Sequence, residues 1–171
     1  RRGATQVGRA LDRLDVRWFE APLPDRDLDG YRELTRRLDT PVVPAGGLVD
    51  DPRELGAALR STPWSALRTQ TLEGGIGHVC CVAALGRAFG LDLELCSYGT
   101  TVTQVTDLHL ILGLGVGSYY EQPFPVGPWE FGTTTPLVVA DGVVRAPDGP
   151  GLGVELDPDA IDAATLGRFS V

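Results

Sequence analysis

The sequence contains no lysine and no methionine; all fifteen of its basic residues are arginine. Without lysine the chain cannot supply a lysine base, a Schiff-base amine or the lysine of a phosphate-binding loop. The missing methionine, with Arg1-Arg2-Gly3 standing directly before a helical pattern, raises the expectation that residues precede this chain. Cysteine is scarce: Cys80, Cys81 and Cys96 lack any Cys-x-x-Cys spacing and read as reduced thiols, not as a zinc site. No apolar run approaches the roughly 18 residues of a membrane span, and no signal-peptide pattern opens the chain. A cytoplasmic protein is therefore expected. Positive charge is also in deficit, with a formal net charge of −8. That balance disfavours nucleic acid and anionic lipid as partners, because both would be repelled.

What is present is an alternation of helical and extended patterns. Val7, Ala10, Leu11 and Leu14 recur at helical spacing after Thr5, a candidate N-cap, and the apolar run from Val16 to Phe19 reads as a short strand. Tyr31, Leu34 and Leu38 form a second helical stripe, followed by a strand from Pro41 to Ala45. Asp51 before Pro52, with Glu54 close behind, signals a helix start, and its stripe is Leu55, Ala58 and Leu59. Further strands are expected at 66–71, 91–96 and 117–121, with helices over 76–89 and 103–114 between them.

Strand ends recur about every 25 residues, a βα repeat with parallel strands. About five such units suit part of an eight-unit barrel or a small open sheet. From Pro136 the pattern changes to a hairpin around Asp141-Gly142, a loop rich in glycine and proline, a closing strand, and a short helix opened by Asp157-Pro158. The expected division is therefore 1–131 for the barrel units and 132–171 for the hairpin and closing segment.

Several segments carry a family resemblance. WFEAPLPDRDLDGYREL resembles the enolase-superfamily segment W-[FI]-E-E-P-L and the helix after it. TPVVPAGGLVDDPREL occupies the place of a strand ending in Gly-Glu, and GGIGHVCCVAALGRAFGLDLELCSYGT runs without gaps against a pattern ending H-G-V-P-V-A-P-H-G. YYEQPF fits the last strand, and DGVVRAPDGPGLGVELD is similar to the C-terminal signature. The chain thus resembles the C-terminal domain of the mandelate racemase/muconate lactonizing enzymes. The resemblance implies an α/β fold, the C-terminal part of a (β/α) TIM-type barrel.

The family chemistry so implied is abstraction of a proton α to a carboxylate, with Mg²⁺ held by three carboxylates at successive strand ends. A hard cation with oxygen ligands suits an enediolate, whose charge it neutralises. Carried over by position, Glu20 matches the second metal ligand, the first lies upstream, and the third falls at Gly46 or Gly47, neither of which has a side chain that binds. Cys96 stands where the branch has a catalytic His. The Asp partnered with that His falls at Arg68, Thr69 or a neighbour. Glu121 matches the eighth-strand Glu, whose family role is hydrogen bonding or proton donation to the substrate.

Each position also has a plainer reading. A carboxylate such as Glu20 at the end of an apolar strand needs a metal or a salt bridge to a nearby arginine. Arg68, on a strand aimed at the mouth, either holds an anionic substrate bidentately with Thr69 beside it or forms a strand-end salt bridge. Cys96 acts as an acid or base or merely lines the cavity. His109 reads as structural, His78 as facing solvent or the mouth from the first turn of its helix, and Asp50, Asp51 and Asp157 as helix caps.

Two functions follow: a Mg²⁺-dependent racemase or acid-sugar dehydratase with a degenerate site, or an inactive barrel that binds a small anion or a protein partner. Exposed parallel edges predict that a missing N-terminal half, or another copy in a homo-oligomer, covers them.

Overall fold

Short strands, each followed by a helix that packs back on it, set the architecture of this computed structural model, which describes residues 1–46, 51–61 and 63–167. The strands are β1 (Phe19–Glu20), β2 (Val42–Val43), β3 (Ala66–Thr69) and β4 (Asp92–Leu95). β1 runs parallel to β2 with Phe19 opposite Val42, and β3 runs parallel to β4 with Arg68 opposite Glu94. Ser65 joins the two pairs: its amide donates to the Val42 carbonyl at 2.8 Å, and its hydroxyl accepts from the Val42 amide at 3.1 Å. The expected βα alternation with parallel strands is therefore present, in the order β1-β2-β3-β4.

Helix starts follow local capping chemistry, with two departures from expectation. α1 (Arg2–Asp12) begins ahead of Thr5, which lies within the helix and donates its hydroxyl to the Arg1 carbonyl at 3.2 Å. α2 (Leu28–Arg37) is capped by Asp27, which accepts from the Gly30 amide and pairs with the Arg1 guanidinium. α3 (Pro52–Leu59) is capped by Asp51, which accepts from the Arg53 amide at 2.8 Å; Asp50 lies outside the described residues. α4 (Thr71–Ala88) starts five residues before the expected Ile76, because Gly75 at φ 74° lets one helical turn precede the main helix across a kink. α5 (Thr101–Leu114) ends on Gly115 in the left-handed conformation, φ 61°.

Along β3 and β4, Leu67, Leu93 and Leu95 are at most 1 % exposed and pack with Leu55, Leu59, Val79 and Val82 of the surrounding helices. Tyr31 and Trp64 meet edge to face, 6.0 Å apart, in the same layer. This apolar layer between strands and helices aims the opposite strand faces inward.

The expected strand over 117–121 is absent. Gly117 turns the chain at φ 74°, and the next amide, that of Ser118, donates to the Glu94 carboxylate at 3.0 and 2.9 Å. That amide is thereby removed from any strand ladder. The segment nevertheless reaches back to β1, with Arg17 donating to the Ser118 hydroxyl at 3.1 Å and the Trp18 and Tyr119 rings 5.9 Å apart.

The hairpin forms as β5 (Val139–Ala140) and β6 (Val143–Val144) around Asp141 and Gly142, both at positive φ, as a two-residue turn of the primed type requires. The expected closing strand shrinks to a single bridge, Thr133 to Leu156. Asp157 caps α6 (Pro158–Ala164) through the Ala160 amide. Leu137 packs on Val105 and Leu108 of α5, and His109 Nε2 lies 3.1 Å from the Leu152 carbonyl, a structural role. Among the described residues, no helix is long and apolar enough to cross a membrane.

Candidate functional site

Side chains alternate across a strand, and directly paired residues in a parallel ladder point the same way. Since Leu67, Leu93 and Leu95 face the helices, Arg68 and Glu94 face the interior. Burying a guanidinium requires partners, and Arg68, whose side chain is 3 % exposed, has two. Its Nη1 donates to Glu121 Oε1 at 2.6 Å and its Nη2 to Glu20 Oε1 at 3.3 Å. The guanidinium carbon lies 5.8 Å from the centroid of the Trp18 ring, within cation–π range. Trp18 in turn donates its indole N–H to Glu20 Oε2 at 3.1 Å. Burial alone would lower the Arg68 pKa, but the hydrogen bond to Glu121 and the charges of Glu121 and Glu20 outweigh it, and the net shift is upward. The Nε atom is left without a hydrogen-bond partner among the described residues.

Cys96 follows β4, with its amide donating to the Thr69 carbonyl at 3.0 Å. Burial pushes its thiol up to about 11, the Glu121 charge adds to the shift, and Arg68 partly opposes it. A raised value keeps Cys96 in the thiol form at neutral pH, where it is a weak acid and not a standing thiolate base.

Four of the residues singled out in the sequence, Glu20, Arg68, Cys96 and Glu121, thus come together. Thr69 does not join them: its hydroxyl is given to Glu73 Oε2 at 3.0 Å. His78, half-buried, has an unpartnered Nε2 among the described residues and no hydrogen bond to the cluster.

Two residues escaped the sequence reading. Glu73, in the first turn of α4, lies beside Gly46; a Cβ added at Gly46 would stand 3.4 Å from Glu73 Oε1 and 3.2 Å from the Arg68 carbonyl. Asp107, fully buried on α5, accepts from the Thr71 amide at 3.1 Å and so caps α4 from a neighbouring helix. Burial raises its carboxyl to about 6, hydrogen bonds from Thr71 oppose that, and the Glu73 charge adds to it. Its only sequence signal was an acid inside an apolar helix.

These donors do not fit a divalent cation. Mg²⁺ demands a near-octahedral set of oxygens. Both oxygens of Glu20 are engaged, one by Arg68 and one by Trp18, and Glu121 Oε1 is taken by Arg68. Gly46 contributes no side chain, and Gly47 lies outside the described residues. Among the described residues, no group of three or more His, Cys, Asp or Glu side chains is placed to hold a metal ion.

A family model described as "Enolase C-terminal domain-like" matches residues 1–160. The chain is 27 % identical to the D-galactarolactone cycloisomerase of Agrobacterium fabrum (strain C58 / ATCC 33970), over 92 % of this chain and 44 % of that protein. A solved structure from Pseudovibrio sp., provisionally assigned as a mandelate racemase/muconate lactonizing enzyme, superposes with a TM-score of 0.90 at 31 % identity, covering 96 % of this chain and 44 % of that one. An enolase solved with bound Mg, from alpha pretobacterium bal199, is similar at a TM-score of 0.78 and 25 % identity, over 94 % of this chain and 42 % of that one. The chain spans less than half the length of the curated relatives it matches.

Proposed function

Since the chain belongs to the enolase C-terminal domain-like family, we propose that it forms the barrel half of an isomerase or lyase that moves a proton next to the carboxylate of a small sugar acid or lactone. The observation that carries this reading is the meeting of Glu121, Arg68 and Cys96 in one interior on the side of the strands away from the helices. Residues at barrel strand ends point into a shared mouth, which is where such folds place their chemistry.

In this reading Cys96 delivers a proton to the substrate carbon, and Glu121 orients the thiol. Arg68 gives one N–H of each terminal nitrogen to Glu121 and Glu20 and keeps further N–H groups, so its charge faces the substrate's oxygens while the two acids hold it in place. Thr69 supports Glu73 and does not touch substrate. The base that removes the proton is not assigned to this chain, which has no lysine and no histidine in the cluster.

The reading is checked by incubating the full-length protein with galactarolactone and related sugar acids in deuterium oxide and following exchange at the α carbon by NMR. Wild type is expected to exchange, and Cys96→Ser and Glu121→Gln to lose about 100-fold or more. Binding by calorimetry without exchange would favour the second reading, a small-anion-binding barrel with no catalysis. The absence of both binding and exchange would overturn the proposal.

Among the described residues β1 pairs only with β2, so its other edge is open. Open parallel edges are an association hazard, and further barrel units or a second copy are proposed to cover this one. Sedimentation of the 171-residue chain as a monomer that melts cooperatively would contradict that expectation.

A further inference from the structure

We propose that the Arg68 guanidinium is the resident cation of this barrel mouth, standing between Glu20 and Glu121 and occupying the carboxylate that would serve a metal, so that the site keeps a positive centre without taking up Mg²⁺. The inference rests on geometry alone and holds whether or not the chain is catalytic.

Two carboxylates turned into one interior repel each other unless a cation lies between them. Here that cation comes from the middle of β3, with its two terminal nitrogens divided between the two acids at 2.6 and 3.3 Å. It is not a surface arginine free to swing away. The side chain is 3 % exposed and lies against the Trp18 ring, and the same indole holds the second oxygen of Glu20. A metal entering here would have to displace both contacts of Glu20 while resting close to a fixed positive charge. Gly46 offers no replacement donor, and the space where its side chain would begin is bounded by the Arg68 carbonyl and Glu73.

The exchange alters what the site can do. A guanidinium carries one charge, directs N–H donors along fixed lines and is never deprotonated in a protein. A bound metal ion depends on concentration and on proton release from its ligands. The positive centre of this mouth is thus permanent and insensitive to chelators, acting as a hydrogen-bond donor in place of a Lewis acid.

The test is calorimetric and thermal titration of the full-length protein with Mg²⁺, for wild type, Arg68→Ala, Arg68→Lys and Glu20→Gln. Wild type and Arg68→Lys are expected to show no saturable binding and no Tm change. In Arg68→Ala the freed carboxylates are expected to bind Mg²⁺ and raise Tm by roughly 5 °C at about 100 times Kd. If Arg68→Ala is unfolded alone, recovery of its fold on adding Mg²⁺ reads out the same substitution of one cation for the other. Saturable Mg²⁺ binding by wild type that is lost in Glu20→Gln would overturn the proposal, and so would an Arg68→Ala variant that responds to Mg²⁺ no more than wild type does.

Discussion

Arg68→Met is expected to destabilise the fold by about 3 kcal/mol at neutral pH, measured by urea unfolding. Removing one partner of a buried ion pair leaves the remaining charge uncompensated, which costs about 3–5 kcal/mol. The lower end applies because the side chains of Glu20 and Glu121 are 37 % and 32 % exposed, so water recovers part of the loss. Methionine fills much of the arginine stem's volume, and the effect therefore isolates the charge rather than a cavity. The triple variant Glu20→Gln, Arg68→Met, Glu121→Gln is expected to regain most of the lost stability, since neutral partners no longer repel. An Arg68→Met variant within about 0.5 kcal/mol of wild type would show that the cation between the acids is not a structural requirement.

Asp107→Asn is expected to make the protein more stable at pH 7.5, by about 2 kcal/mol. Its carboxyl rises from 3.8 to about 6 in the folded chain, chiefly through burial. An acid whose folded pKa is raised destabilises the fold wherever it is ionised. The penalty is complete above about pH 6, shrinks as pH falls through the folded value, and vanishes below about 4, where folded and unfolded chains are both protonated. A shift from 3.8 to about 6 corresponds to about 3 kcal/mol. Asparagine keeps the oxygen that accepts from the Thr71 amide, but its new amide donor lacks a partner, which offsets part of the gain. The difference between the two stability-versus-pH curves removes every other titration common to both chains. It should be largest above pH 6 and decline towards pH 4; parallel curves would rule out a strained Asp107.

Much of the scaffold was legible because its signals are local. Asp51-Pro52 and Asp157-Pro158 opened helices where expected, and Asp141-Gly142 turned the hairpin, because each acts on backbone groups within a few residues. Local reading failed where a distant group intervened. Thr71 begins α4 because Asp107, 36 residues away, accepts its amide hydrogen. Where the last strand was expected, Glu94, 24 residues upstream, takes the Ser118 amide that a ladder would have used.

The sequence by itself determined the βα repeat, the absence of any lysine base, and the placing of Glu20 and Cys96 at or beside strand ends. It left open whether Glu20 meets a metal or an arginine, and whether Arg68 holds a substrate or a protein carboxylate. Only the tertiary structure shows Arg68 paired with Glu20 and Glu121. Arg68 reaches Glu20 and Glu121 across 48 and 53 residues, and no periodicity or spacing encodes which charges share an interior. That depends on how strand curvature aims each side chain and on how little water remains between them, because burial is what compels a buried cation to find its acids.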